Sequence, residues 1–165
     1  MATPSQAEEF VESRLEGPFR ILDGDTFETD LNGDGEIQLP RERIRLLYVD
    51  TPELGESYKG TDRVRGLMAK ALLESALRRT PVVLAVPVLD NRGKFGRTLG
   101  LLRTGRSEVN LRLIREGLSY FDTRFVFPAD YDRYAEAEGL AFSEGKGIWS
   151  DLESRESYLR RLARE

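Results

Sequence analysis

Cysteine and histidine are both absent from this chain of 165 residues. Without Cys there is no disulfide, no thiolate nucleophile and no Cys-based zinc site. Without His the chain lacks the commonest general base, the commonest metal ligand and the usual switch near neutral pH. Serine-triad, papain-like and zinc hydrolases are thereby excluded. Chemistry must be built from carboxylates, Lys, Arg, hydroxyls, backbone groups and a hard, oxygen-preferring cation. Long apolar runs are missing too: the run at 82–86 is far short of the ~20 residues that a membrane span needs. No basic start followed by an apolar segment marks a signal peptide.

The composition, 39% hydrophobic and 33% charged, suits one folded domain with a real core. The net charge of −4 argues against broad coating of nucleic acid. Positive charge is nevertheless gathered in the middle of the chain, at Arg78, Arg79, Arg92, Lys94, Arg97, Arg103 and Arg106. A small basic cleft in an acidic protein is the expectation.

Periodicity and punctuation predict an amphipathic helix over 3–15, ended by Gly17-Pro18. Strand-like runs follow at 19–22, 26–29, 37–39 and 44–49, with a turn-rich insert at 30–36 where a hairpin tip should lie. A helix from Asp62 to Arg79 comes next, with Met68, Leu72 and Ala76 on one stripe. Strands at 82–89 and 98–103, helices at 109–116 and 130–144, an apolar Ile148-Trp149 anchor and a charged terminal helix complete the series. Short bent strands carrying helices suit an α+β fold dominated by a small β-barrel, of which the five-stranded OB-fold is the common example. About three helices accompany it.

Three segments can carry chemistry. Asp23-Gly24-Asp25-Thr26 reads either as a tight turn or as a bend projecting Asp25 toward a hard metal. The stretch Arg43-Ile44-Arg45-Leu46-Leu47-Tyr48-Val49-Asp50-Thr51-Pro52-Glu53 is apolar on both faces, so Arg45 emerges from partly buried surroundings. A guanidinium there needs an anionic partner, either a structural carboxylate or a bound phosphate. Gly93-Lys94-Phe95-Gly96-Arg97 is a turn that is either simply solvated or offers cations and a stacking ring.

Taken in this order, these segments resemble the staphylococcal nuclease family. Leu113-Ile114-Arg115-Glu116-Gly117-Leu118 and Gly147-Ile148-Trp149-Ser150 extend the likeness from about Arg20 to Ser150. The resemblance implies an OB-fold barrel and calcium-dependent cleavage of DNA and RNA, single strands preferred, leaving 3′-phosphate and 5′-hydroxyl ends. Carried over, Asp25 and Asp50 are Ca²⁺ ligands, with the backbone carbonyl of Thr51. Glu53 is the general base or orients the attacking water, and Arg45 and Arg97 bind the scissile phosphate. Lys94 and Phe95 help hold the nucleotide, and Lys59 is a further phosphate contact. Phe125 and Phe127 stand where Tyr is expected, as Phe95 does, so stacking survives and the hydroxyl hydrogen bonds do not. The residue chemistry agrees: without His or Cys, attack of water on a phosphodiester needs a carboxylate base, a cation and fixed positive donors.

The expected division is an N-terminal helical extension at 1–18, a nuclease OB-fold domain at 19–150 with an insert at 30–42, and a helix or tail at 151–165. A monomer without a membrane span is expected. The lack of Cys and the family's habit of secretion lean toward a secreted or periplasmic site. Two rival readings use the same residues. One is an OB-fold that grips single strands without cutting, and the other is a calcium-stabilised interaction domain. Retention of the metal carboxylates, the base and both arginines favours cleavage.

The insert adds one expectation. Asp30-Leu31-Asn32-Gly33-Asp34-Gly35-Glu36-Ile37 matches the first half of an EF-hand loop, with oxygen side chains at positions 1, 3 and 5 and Gly at 6. Position 12 is Arg41, with Glu42 one residue later. The same residues equally suit an acidic hairpin tip. If a second Ca²⁺ is held by Asp30, Asn32, Asp34 and the Glu36 carbonyl, calorimetry on Asp34→Ala will count one ion fewer than the unmodified chain; an unchanged stoichiometry removes the site.

Overall fold

The computed structural model describes residues 9–55, 61–89 and 91–164. Its elements are β1 (Phe10–Leu15), β2 (Phe19–Ile21), β3 (Thr26–Thr29), β4 (Arg43–Leu46), β5 (Val49–Asp50), α1 (Thr61–Leu77), β6 (Val82–Pro87), β7 (Thr98–Thr104), β8 (Ser107–Glu108), α2 (Val109–Arg115), β9 (Tyr120–Phe121), α3 (Pro128–Ser143) and α4 (Leu152–Leu162). Short 3₁₀ turns at Lys94–Gly96 and Gly147–Ser150 complete them. The main sheet runs β1-β6-β7-β4-β3-β2, with β8 on β7, and a separate ribbon joins β5 to β9. Among the described residues only β4 and β7 pair in parallel. This is the expected α+β architecture dominated by short strands, an OB-fold-like sheet carrying helices.

Several local expectations need correction. The segment at 10–15 is a strand, not the end of a helix, and 1–8 lies outside the described residues. Its register against β6, from Phe10↔Pro87 to Leu15↔Val82, satisfies the backbone through ladder bonds that a local pattern does not foresee. Residues 37–39 form no strand but lie within the loop joining β3 to β4. The three helices expected with the sheet are present as α1, α2 and α3, and the charged terminal segment forms α4. In α1 the buried positions are Ala69, Leu73, Ala76 and Leu77, while Met68 is 52% exposed. The stripe is thus rotated by one residue, because the small Gly66 and Ala69 let the helix come close to the loop backbone and the β2–β3 turn.

The expected strand at 44–49 is two strands. β4 stops at Leu46, Leu47 and Tyr48 turn, and β5 begins at Val49. Because the turn is buried, its backbone groups have no water to meet and must be paired inside the protein. Asn110, itself fully buried in α2, supplies the partners. Its amide Nδ2 donates to Leu47 O (2.9 Å) and Gly100 O (3.1 Å), and its Oδ1 accepts from Leu102 N (2.8 Å).

At the other end, Gly117 and Gly147 lie in contact. A Cβ on Gly117 would stand 2.3 Å from Lys146 O, at a φ of +68° that disfavours other residues anyway. This approach lets Ile148 N donate to Gly117 O (2.9 Å) and seats Ile148 and Trp149 in the interior. Tyr120, Phe142 and Tyr158 surround Trp149 with ring centroids 5.4, 5.8 and 5.2 Å away. Tyr158 comes from α4, whose first turn is capped by Asp151 accepting from Ser154 N (3.0 Å). Arg161 of the same helix reaches the buried Glu138, which also accepts from Phe121 N (2.9 Å).

Two outcomes follow. Asn110→Ala takes away the partner of Leu47 O and Leu102 N, while Gly100 O keeps its bond from Leu47 N, so stability should fall by about 2–5 kcal/mol in a denaturant titration. The Ser154 N–H holds the Asp151 carboxyl below its ordinary value, so its capping contribution is present above the unfolded-state value and lost as pH falls through the lower folded value. Acidification below about pH 4 should therefore loosen α4 and red-shift Trp149 emission. Asp151→Ala should show the loosened α4 already at neutral pH.

Candidate active site

The β2–β3 turn presents the first carboxylates. Asp25 N donates to Asp23 Oδ1 (3.0 Å), an Asx turn that leaves Asp23 half-buried and Asp25 buried. Gly24 between them has no room for a side chain: a Cβ would lie 2.5 Å from Ala69 of α1 and 2.9 Å from Thr51 Oγ1. That approach puts Asp25 against the segment after β5. Its Oδ2 accepts from Thr51 N (2.9 Å) and Thr51 Oγ1 (3.0 Å), and its Oδ1 accepts from Thr26 Oγ1 (3.0 Å).

Arg45 rises from the central strand β4 to the same place. Its side chain is 13% exposed, and Nη1 stands 3.1 Å from Asp25 Oδ2. The same nitrogen donates to Val49 O (2.7 Å) and Leu46 O (3.2 Å). Nη2 lies 3.6 Å from Asp50 Oδ1. Arg45 thus has carboxylate partners in Asp25 and Asp50, and Asp50, half exposed, is the one open to solvent. Asp50 N donates to the buried Ser119 Oγ (2.8 Å), which fixes the start of the loop that follows.

Negative charge is in excess here. Burial first, and the neighbouring Asp25 charge second, push the Asp23 carboxyl up to about 6. Burial also raises Asp50, against the pull of Arg45, with Asp25 and Asp122 adding to the rise. Arg97 belongs to the same field. Burial and the charge of Arg45 draw its guanidinium below the usual value, while Asp25 and Asp23 pull it up. It remains a cation at neutral pH. Its Nε donates to Lys94 O (3.2 Å), which folds the side chain back along the Lys94–Gly96 turn.

Among the described residues no three metal-ligating side chains converge. The donors on hand are the two carboxylates Asp25 and Asp50, with the Thr51 backbone adjoining them. All are hard oxygens in a site whose carboxylates repel one another. That set fits a Ca²⁺-type cation that keeps several waters.

The remaining expected residues are more scattered. Glu53 is exposed, three residues past Asp50, and has no hydrogen-bond or ion-pair partner among the described residues. Lys94 Nζ sits 5.1 Å from the centroid of the Phe95 ring, and that ring is 76% exposed at a backbone φ of 67°. Phe125 and Phe127 touch each other edge to face at 5.1 Å, and Phe127 is taken up against Phe10 at 5.6 Å, so it is packing material as much as a surface. Lys59 lies outside the described residues.

In the insert, Asp30 accepts from Gly33 N and Gly35 N (both 2.7 Å), and Asp34 accepts from Glu36 N (2.9 Å). Asn32 Oδ1 accepts from Asp34 N (2.9 Å). The buried Glu42 closes the loop from below, taking the N–H groups of Leu31, Asn32 and Gln38.

Four neighbours of the site were not singled out from the sequence. Asp23 is the other acid of the Asp-Gly-Asp turn and was within reach of that reading. Asp122 and Arg124 form a forked pair at 2.7–2.8 Å, and both act on Asp50 electrostatically. Ser119, like them, carries no local signal, because only the β5–β9 pairing brings it to Asp50.

A family model described as "Staphylococcal nuclease homologue" matches residues 43–151. The chain is 28% identical over 153 residues to a micrococcal nuclease of Shigella flexneri, covering 87% of this chain and 78% of that protein. It is 33% identical over 134 residues to a thermonuclease of Staphylococcus intermedius, covering 79% and 73%. Endonuclease YhcR of Bacillus subtilis is 29% identical over 141 residues, but the match spans only 11% of that longer protein. The matched segment contains Arg45, Asp50, Thr51, Glu53 and Arg97, and Asp25 is folded onto it by the Thr51 contacts. On this agreement of sequence and geometry, the chain belongs to the staphylococcal nuclease homologue family.

Proposed function

We propose that this protein is a calcium-dependent nuclease that hydrolyses phosphodiester bonds of DNA and RNA, with single strands preferred, giving 3′-phosphate and 5′-hydroxyl ends. The observation that carries the reading is the meeting of Asp25, Arg45 and Asp50 at one point of a fold whose curated relatives are named nucleases. Asp25, Asp50 and the Thr51 carbonyl would hold the cation. When bound, Ca²⁺ supplies Lewis-acid polarisation of a phosphoryl oxygen and eases deprotonation of water.

The protein's own groups do the rest. Glu53, exposed and without a partner among the described residues, accepts the proton of the attacking water or orients it, since a base must reach the reacting atom and be free to take its proton. Arg45 and Arg97 hold the phosphoryl oxygens and oppose the charge that builds up on them. Arg45 is pre-aimed by two backbone carbonyls, so little reorganisation is needed when a phosphate arrives. Lys94 and Phe95 form an exposed cation and ring at the edge of the site, suited to a phosphate and a base. Phe125, Lys59 and, less favourably, Phe127 are the further nucleotide contacts. A second Ca²⁺ at the insert is a structural addition to this reading and not a part of its chemistry.

The test compares unmodified protein with Arg45→Ala and Glu53→Ala on single-stranded DNA, in Ca²⁺ and in chelator. Cleavage should occur in Ca²⁺ alone, and each substitution should lower kcat about 10²–10³-fold, the usual cost of removing one preorganised group. Unmodified protein that binds the strand and leaves it intact in Ca²⁺ would instead mark a nucleic-acid-binding module.

A further inference from the structure

Tyr48 is the residue at which the chain reverses between Arg45 and Asp50, and it does so at a φ of 67°. Left-handed backbone is uncommon for a bulky aromatic residue and persists only where the surroundings over-determine it. Here they impose it from every side. The Tyr48 hydroxyl donates to Asp130 Oδ2 (2.7 Å), near the start of α3. Its ring meets that of the fully buried Tyr134 edge to face at 4.8 Å. Its carbonyl accepts from Asp122 N (2.8 Å), and the preceding Leu47 carbonyl is held by Asn110.

The anchor is itself braced. Asp130 Oδ1 accepts from Arg133 Nη2 (2.9 Å), Arg133 Nη1 donates to Glu108 Oε2 (2.8 Å), and Tyr134 donates its hydroxyl proton to Glu108 Oε1. The reversal has a direct result. With Tyr48 left-handed, the carbonyls of Leu46 and Val49 both converge on Arg45 Nη1 at 3.2 and 2.7 Å. That leaves Nη2 on the side of Asp50.

We propose that Tyr48, through its bond to Asp130, is a positioning residue for Arg45. It curls the turn at 46–49 onto one nitrogen of the guanidinium and so fixes the direction in which the other points. The catalytic consequence rests on the reading of Arg45 as the phosphate-binding group; the positioning itself does not. Tyr48→Phe removes only the hydroxyl. Asp130→Ala removes the acceptor, and Asp130→Asn keeps an oxygen that can accept.

Two measurements decide the matter. In metal-free protein, NMR of the Arg45 guanidinium should show separate, slowly exchanging Nη1 and Nη2 signals, which merge in Tyr48→Phe and Asp130→Ala and reappear in Asp130→Asn. With Ca²⁺ and single-stranded DNA at 25 °C, Tyr48→Phe should lower kcat about tenfold, within the range that small misplacements cost, and leave KM within about twofold. The Tyr48→Phe/Asp130→Ala double variant should be no slower than the slower single, because both substitutions break one bond. A variant that melts at lower temperature but keeps its kcat and its guanidinium signals overturns the proposal, and so do additive effects in the double variant. If Tyr48→Phe fails to fold, Asp130→Ala and Asp130→Asn carry the comparison, and equal signals and rates in those two overturn it. If the unmodified protein cuts nothing, the nuclease reading has failed and the guanidinium signals still decide this inference.

Discussion

The amide of Asn110 sits where the parallel pairing of β4 and β7 ends and the chain must turn inside the protein. At that point Leu47 N donates to Gly100 O (3.0 Å), and the Asn110 amide adds bonds to Gly100 O, Leu47 O and Leu102 N. A buried turn exposes backbone groups that neither sheet nor helix can satisfy, and leaving them unpaired is costly. One side chain with two donors and an acceptor meets three of them. The site depends on that solution, since Arg45 lies just before the turn and Asp50 just after it.

Electrostatics explains why the arrangement is so tightly braced. Asp23, Asp25 and Asp50 share a partly buried space with Arg45 and Arg97. Buried charges are tolerated when each has partners and hydrogen bonds. Asp25 has Thr26, Thr51 and Arg45, and Arg45 has two carbonyls as well as two acids. The same economy appears further along β3, where the buried Glu28 is gripped by Arg43 at 2.6 Å and approached by Arg20 at 3.3 Å. A chain without His or Cys has carboxylates and guanidinium groups as its strongest polar tools, and it places them in mutually satisfied sets.

The C-terminal helix closes the structure in another way. Trp149 is anchored by the contact of Gly117 with the Lys146–Gly147 backbone, and Tyr158 of α4 covers it from outside. Arg161 then joins α4 to Glu138 and to the carbonyl of Phe121. Because β9 pairs with β5, this chain of contacts runs from the last helix to Asp50, linking the packing of the terminus to the strand that bears a site residue.

Much of this was readable before any coordinates. The absence of Cys and His removed thiolate and imidazole chemistry and left carboxylates, Lys, Arg, hydroxyls and backbone groups as the protein's own tools. The order of the Asp-Gly-Asp turn, the Arg45–Glu53 segment and the Lys94–Arg97 turn carried the family and the groups that meet at the site. Such motifs are local, and local chemistry survives in a one-dimensional string. Three features were not readable, each for the same reason. The segment at 10–15 became a strand because β6 lay beside it, the run at 44–49 broke because its carbonyls had a guanidinium to hold, and Ser119, Asp122 and Asp130 joined the site from elsewhere in the chain. Pairing partners and buried acceptors arrive from distant positions, and only the folded chain can bring them together.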